Sequence, residues 1–291
     1  MIIEMNKNVQ HTNSTRLHFD EVVKRIVDQP DNPELKAKES NNPLKKWIGK
    51  NHTGDCIEIM NKMPEESVGV IITSPPYNIK NSTGNGLKNG NGGKWPQAEL
   101  LKGYSHYNDS IPHNKYVKWQ RDCLKAMMRV LKPDGVIFYN HKWRVQGGLL
   151  QDRNDIVSGF PVRQIIIWKR AGGINFNPGY FLPTYEVIYM ITKPDFKLTP
   201  GTNKFTDIWQ ISQARDNVHP APFPIELAQR CVEASPNGVV LDPFIGSGTT
   251  AIAALTKGRE WIGIDISPKY CALADERIAD YQSAYRIKNG Q

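Results

Sequence analysis

Apolar positions along this chain change period several times, and each change marks an element. Residues 68–73 form an unbroken apolar run, Val68-Gly69-Val70-Ile71-Ile72-Thr73, the pattern of a buried parallel strand. Further runs rich in β-branched residues predict strands at 136–139, 162–168, 185–192, 239–241 and 261–264, and a short strand and turn lie around Gly54-Asp55. Between them the spacing turns helical. Val117, Leu124, Met127, Met128 and Leu131 share one face of a helix over 116–131, which Lys132-Pro133-Asp134-Gly135 ends in a turn. Shorter helices are predicted through Met60 and Met63, over 225–234 after Pro222-Phe223-Pro224, over 249–257, and over 270–281. Seven strands alternating with helices predict an α/β fold, a mostly parallel sheet covered on both faces, with ligands at the carboxyl ends of its strands.

Two intervals break the alternation. Residues 80–113 are rich in Gly and Asn and interleave Lys88, Lys94 and Lys102 with Trp95, Tyr104 and Tyr107. So many residues tolerant of positive φ predict a loop without regular structure. Residues 169–184 are a second loop, and residues 193–216 read as a polar stretch. Residues 1–46 are polar and of mixed charge, and read as an N-terminal extension with a short helix over 17–27. The alternation starts at Trp47, so residues 47–291 are taken as one domain.

The run at 68–73 ends in Ser74-Pro75-Pro76-Tyr77. Two prolines remove ladder donors, so the backbone must leave the sheet there, with the Ser74 and Pro75 carbonyls expected to stay unpaired. Acceptors beside a tyrosine face suit a planar ring that bears an amino group, as a nucleobase does. The formal charge of +8 favours a polyanionic partner. The four cysteines lie far apart with no C-x-x-C pair, and the seven histidines show no metal-ligand spacing, so no metal is expected. No apolar run reaches the roughly 20 residues of a membrane span, and the first residues lack a signal-peptide pattern, so a cytoplasmic chain is expected.

A second motif follows the strand at 239–241: Asp242-Pro243-Phe244-Ile245-Gly246-Ser247-Gly248-Thr249-Thr250. Its glycines permit close approach to a ligand, and Thr249 is placed to cap the next helix. It is neither G-x-x-x-x-G-K-[ST] nor G-x-G-x-x-G, and the charge of Asp242 would repel a phosphate while attracting an ammonium group. The strand Trp261-Ile262-Gly263-Ile264 then ends in Asp265, an acid at the position that commonly grips ribose hydroxyls. Such a site suits a nucleoside without phosphate, and S-adenosylmethionine fits that description.

Ser74-Pro75-Pro76-Tyr77, the glycine motif and Asp265 together resemble the motifs of DNA amino-methyltransferases, which methylate cytosine N4 or adenine N6. The catalytic motif precedes the cofactor motif, as in the β group, whose Rossmann-like sheet is circularly permuted. The resemblance covers roughly residues 47–281. It implies a catalytic set of Ser74, Pro75, Pro76 and Tyr77. It implies a cofactor set of Asp55, Asp242, Phe244, Gly246, Ser247, Gly248, Thr249 and Asp265. For Asp55 a plain helix-capping role is the competing reading.

His219-Pro220-Ala221-Pro222-Phe223-Pro224 resembles the segment that closes over the methionine tail, and residues 131–135 the helix-turn-strand after the catalytic motif. The resemblance implies double-stranded DNA as substrate and a flipped base. It leaves open a cognate restriction endonuclease and whether the chain is a monomer or a homodimer. Residues 80–113 and 169–184 (with Lys169, Arg170, Asn175 and Asn177), together with Lys142 and Arg144, are the candidate DNA contacts. Serine at the first motif position and the segment at 219–224 lean towards cytosine N4. Adenine N6 and a catalytically silent DNA-binding homologue are the alternatives. Methylation of protein or RNA uses a similar turn, but usually with the glycine motif first.

Overall fold

The computed structural model describes residues 42–78, 111–146, 148–170, 178–212 and 224–288. The expected helix over 17–27, most of the loop at 80–113, residues 171–177 and the segment at 219–223 lie outside the described residues. The chain divides into two units, Met1–Lys46 and Trp47–Gln291, and every described strand and helix belongs to the second.

Ten strands are described: β1 (Lys50–Thr53), β2 (Val68–Thr73), β3 (Leu131–His141), β4 (Arg144–Gln146), β5 (Leu149–Gln151), β6 (Val162–Lys169), β7 (Tyr185–Thr192), β8 (Ile208–Gln210), β9 (Val240–Asp242) and β10 (Trp261–Asp265). The helices are α1 (Cys56–Lys62), α2 (His113–Val130), the single turn α3 (Asn154–Val157), α4 (Ile225–Ala234), α5 (Thr249–Thr256) and α6 (Pro268–Lys288). Eight strands form one sheet in the order β1-β10-β9-β2-β3-β7-β6-β8, and β4 and β5 pair as a separate hairpin. From β1 to β3 all neighbours are parallel; β7 runs antiparallel to both β3 and β6, and β8 is parallel to β6.

The sheet therefore has eight strands where the sequence pattern predicts seven. The extra one, β8, is three residues long and alternates exposed–buried–exposed, so only Trp209 carries a core signal within a polar stretch. A second difference concerns residues 132–135. They belong to β3 rather than to a free turn, and they bulge: pairing steps from Val68–Leu131 to Val70–Val136.

Each element follows from its residues. All six residues of β2 are buried, as helices on both faces require. Asp55 caps α1 by accepting from the Ile57 and Glu58 amides at 2.8 and 3.0 Å. Pro112 and Pro224 precede α2 and α4, where a missing N–H costs nothing. One apolar cluster joins Val70, Ile72, Phe138, Ile188, Leu227, Val240 and Ile252.

Two glycines bring β2 and β9 together. A Cβ on Gly69 would stand 3.0 Å from the Gly238 Cα, and one on Gly238 equally close to the Gly69 Cα. From β2 the chain moves one way across the sheet, to β3; from β9 it moves the other way, to β10. The switch point of the sheet thus lies between β2 and β9, where a crevice opens at the strand ends.

Candidate active site

At that crevice the two motifs meet. The Thr73 hydroxyl donates to Asp242 Oδ1 at 2.9 Å, although 169 residues separate them in sequence. Asp242 also accepts from the Phe244 amide (3.0 Å) and the Thr250 hydroxyl (2.6 Å). It is 1% exposed, and burial pushes its carboxyl up to about 6 against the pull of these donors. Asp242 thus ties the glycine turn to the end of β2, and it lies behind the cavity rather than on its wall.

Phe244 projects forward instead. It meets Trp119 of α2 edge to face, with ring centroids 5.7 Å apart. Both rings line a cavity of about 390 Å³ with Gly54, Asp55, Asp265 and Ile266. Ser74 and Pro76 reach the same cavity. Asp265, at the tip of β10, accepts from the Gly246 amide at 3.1 Å and from the Ser267 amide at 2.9 Å. Gly246 (φ 52°) and Gly248 (φ 85°) turn the backbone through the left-handed region. Gly248, not Thr249, occupies the cap position of α5 and Thr249 begins the helix, so the expected hydroxyl cap is absent. Ser247 is buried in the turn, and its carbonyl accepts from Arg277 of α6.

The Ser74–Tyr77 turn is held from two sides. The Pro76 carbonyl accepts from the Tyr116 hydroxyl (3.0 Å) and from Gln120 Nε2 (3.2 Å), both on α2. Tyr116 is also 2.6 Å from His141 Nε2. Burial, and after it the Arg153 charge, holds the His141 imidazole well below its ordinary value, so it is neutral near pH 7. Its ring backs Tyr77, with centroids 4.7 Å apart and planes 27° from parallel.

Behind the turn the Tyr77 hydroxyl donates to Glu186 Oε2 (3.1 Å) and lies 2.6 Å from Ser74 Oγ. Asn140 Nδ2 reaches the Tyr77 hydroxyl at 2.8 Å and Glu186 Oε2 at 2.9 Å. Pro75 is buried, and among the described residues no hydrogen bond reaches its carbonyl.

Sequence reasoning therefore names the turn, the glycine loop, Asp55 and Asp265, and these line or brace one cavity. It misses Trp119, Tyr116, Gln120, His141, Asn140 and Glu186. The available signals were Asn140-His141 closing an apolar strand and Glu186 as the one charge in β7.

Three of the cations expected to face DNA turn inward. Arg170 pairs with Glu186 at 3.2 Å, with both side chains nearly buried, and Arg144 donates to the Asn78 carbonyl. Lys142 is half-buried, and its ammonium is pulled below the ordinary range by burial and then by Arg170. Lys169 is exposed; Asn175 and Asn177 lie outside the described residues. Among the described residues no group of side chains could hold a metal ion, and no helix is long and apolar enough to cross a membrane.

The chain is similar to the Type II methyltransferase M.BglII of Bacillus subtilis, with 30% identity over 79% of this chain and 69% of that protein. It is also similar to the Type II methyltransferase M.HpaI of Haemophilus parainfluenzae, with 27% identity over 77% and 72%. Among solved structures, a DNA modification methylase from Thermus thermophilus, complexed with S-adenosyl-L-methionine, shares 27% identity. It superposes with a TM-score of 0.57 over 80% of this chain and 93% of that one. The cytosine-N4-specific PvuII DNA methyltransferase has the same fold (TM-score 0.60, 20% identity, 84% and 97% covered). A DNA methylase family model matches residues 68–276, from the first residue of β2 into α6, and the chain belongs to that family of N6/N4 DNA amino-methyltransferases.

Proposed function

We propose that this chain transfers a methyl group from S-adenosylmethionine to the exocyclic amine of a base turned out of double-stranded DNA, with cytosine N4 as the target. One observation carries the reading: Ser74 and Pro76 line the same cavity as Phe244 and Asp265.

The residues present suit the cofactor. A cavity of about 390 Å³ lies within the range of small-molecule sites. Phe244, Trp119 and Ile266 offer apolar walls to an adenine. Asp265 offers a carboxylate to ribose hydroxyls, and Gly246 and Gly248 let the backbone come close. Asp55 stands at the same wall, while Asp242, Ser247 and Thr249 brace the loop from within. When bound, the cofactor supplies an electrophilic methyl group on a sulfonium.

The chain's own residues prepare the amine. Its lone pair is delocalised into the ring, so it is a weak nucleophile in the plane. Ser74 Oγ and the Pro75 carbonyl accept its two N–H bonds and favour the pyramidal form. The Tyr77 ring, backed by His141, fixes the base against the methyl group. A base paired in a duplex cannot reach this turn, so it is extruded. Residues 80–113 and, apart from the inward-turned Arg170, residues 169–184 contact the DNA, a reading supported by the net charge of +8. The chain acts as a monomer or a homodimer, with or without a matching restriction endonuclease. The choice of cytosine rests on Ser74 at the first motif position and on the segment at 219–224.

Methylome sequencing of DNA from cells expressing the chain tests this. The expected result is N4-methylcytosine at one short motif, lost with Ser74→Ala. N6-methyladenine at a motif would move the target to adenine, and an unmodified genome would leave a silent homologue.

A further inference from the structure

Glu186 belongs to no motif, yet it ends the hydrogen-bond chain that starts at Ser74. It is the only charged residue of β7 and is 8% exposed. Its two oxygens face different partners. Oε1 faces the Arg170 guanidinium at 3.2 Å. Oε2 faces the Tyr77 hydroxyl at 3.1 Å and Asn140 Nδ2 at 2.9 Å.

Proton directions follow from these contacts. A carboxylate only accepts, so the Tyr77 hydroxyl gives it its single proton. Asn140 Nδ2 donates to the Tyr77 oxygen as well. The Tyr77 oxygen can then only accept from Ser74, 2.6 Å away. The Ser74 proton is thereby turned inward; Asn140 Nδ2 is a long donor to Ser74 Oγ at 3.4 Å, and the remaining lone pair meets the cavity.

From this we infer that Glu186 is a specificity-determining positioning residue: it orients the hydroxyl chain so that Ser74 accepts an N–H from an amino-bearing base and rejects the carbonyl of its keto counterpart. The inference rests on the reading of Ser74 as the acceptor for the base amine. A hydroxyl free to rotate would serve either group; one held by a buried carboxylate serves only a donor. Arg170 keeps the carboxylate in place and fixes what an amide there would do. In Glu186→Gln the amide oxygen stays with the Arg170 donor, and the NH2 group faces Tyr77. Asn140 Oδ1 is buried without a hydrogen-bond partner and can turn to accept from that group. The Tyr77 proton, freed from the carboxylate, is then shared between the turned Asn140 Oδ1 and Ser74, so Ser74 is no longer held as a donor and can point its proton into the cavity.

The test is equilibrium binding without methyl donor, using the full chain and duplexes that carry the methylated motif. One duplex holds the target cytosine and the other holds uracil in its place (adenine and hypoxanthine if adenine is the target). The readout is the ratio of the two dissociation constants, compared between variants so that the duplex's own contribution cancels. Glu186→Gln should lower the wild-type preference for the amine about tenfold or more, the scale of one unpaired buried polar group. Tyr77→Phe removes the middle hydroxyl and should do the same with Glu186 intact; it decides alone if Glu186→Gln does not fold.

A wild-type ratio in either folded variant overturns the role of Glu186. Ser74→Ala is measured in parallel. If it too leaves the ratio unchanged, the reading of Ser74 itself fails; if it alone abolishes the preference, only the Glu186 inference falls.

Discussion

At the carboxyl end of β9, Asp242 is a carboxylate kept in the protein interior by three hydrogen bonds. Burial raises its carboxyl from 3.8 to about 6, so between those two pH values the fold holds a proton there that the unfolded chain has lost. A raised carboxyl contributes stability in its protonated form, fully present below 3.8 and lost as pH rises through about 6. Wild type should therefore gain on the order of 3 kcal/mol relative to Asp242→Asn between pH 7.5 and pH 4. Urea unfolding of both proteins at the two pH values checks this; a difference independent of pH would contradict it. The sequence marked Asp242 by its place before the glycine motif. It could not show that the side chain turns back towards Thr73, because that depends on β2 and β9 being neighbours.

Among the elements, α2 supports the Ser74–Tyr77 turn. Tyr116 and Gln120, one helical turn apart, both hold the Pro76 carbonyl, and Gln120 also accepts from Tyr139 at 2.5 Å. Gln120→Ala leaves the buried Tyr139 hydroxyl without its acceptor and the Pro76 carbonyl with Tyr116 alone, which costs about 1–3 kcal/mol. Turnover should fall while cofactor affinity, measured by calorimetry, stays near wild type; equal loss of both would place Gln120 in the cofactor site instead.

The start of α5 sets the opposite constraint. Gly248 has a φ of 85°, and a Cβ there would lie 3.2 Å from the Ala274 Cβ of α6. Gly248→Val should abolish cofactor binding and cost about 1–3 kcal/mol in backbone strain alone. Calorimetric binding at wild-type affinity would refute that. In the bare sequence, the helical period already names α2 and the glycine motif names this turn. What the pattern hid was which face of α2 meets Pro76. It also hid β8, whose three residues contain one buried side chain.

Across the whole molecule, motifs at positions 74–77 and 242–250 become neighbours because the sheet reverses direction between β2 and β9. Motif order and the alternation of strands with helices made the fold class legible, and the family match agrees with it. The polar network behind Ser74 was not legible. Asn140, His141, Arg170 and Glu186 come from three segments, and their meeting depends on the antiparallel pairing of β3, β7 and β6.

On the proposal above, this fold presents an exocyclic amine to a methyl donor. Incubating the protein with DNA and methyl-labelled S-adenosylmethionine, digesting the DNA to nucleosides and weighing the products tests it directly. Label is expected in N4-methylcytosine; label in 5-methylcytosine, or DNA that stays unlabelled, would refute amine methylation.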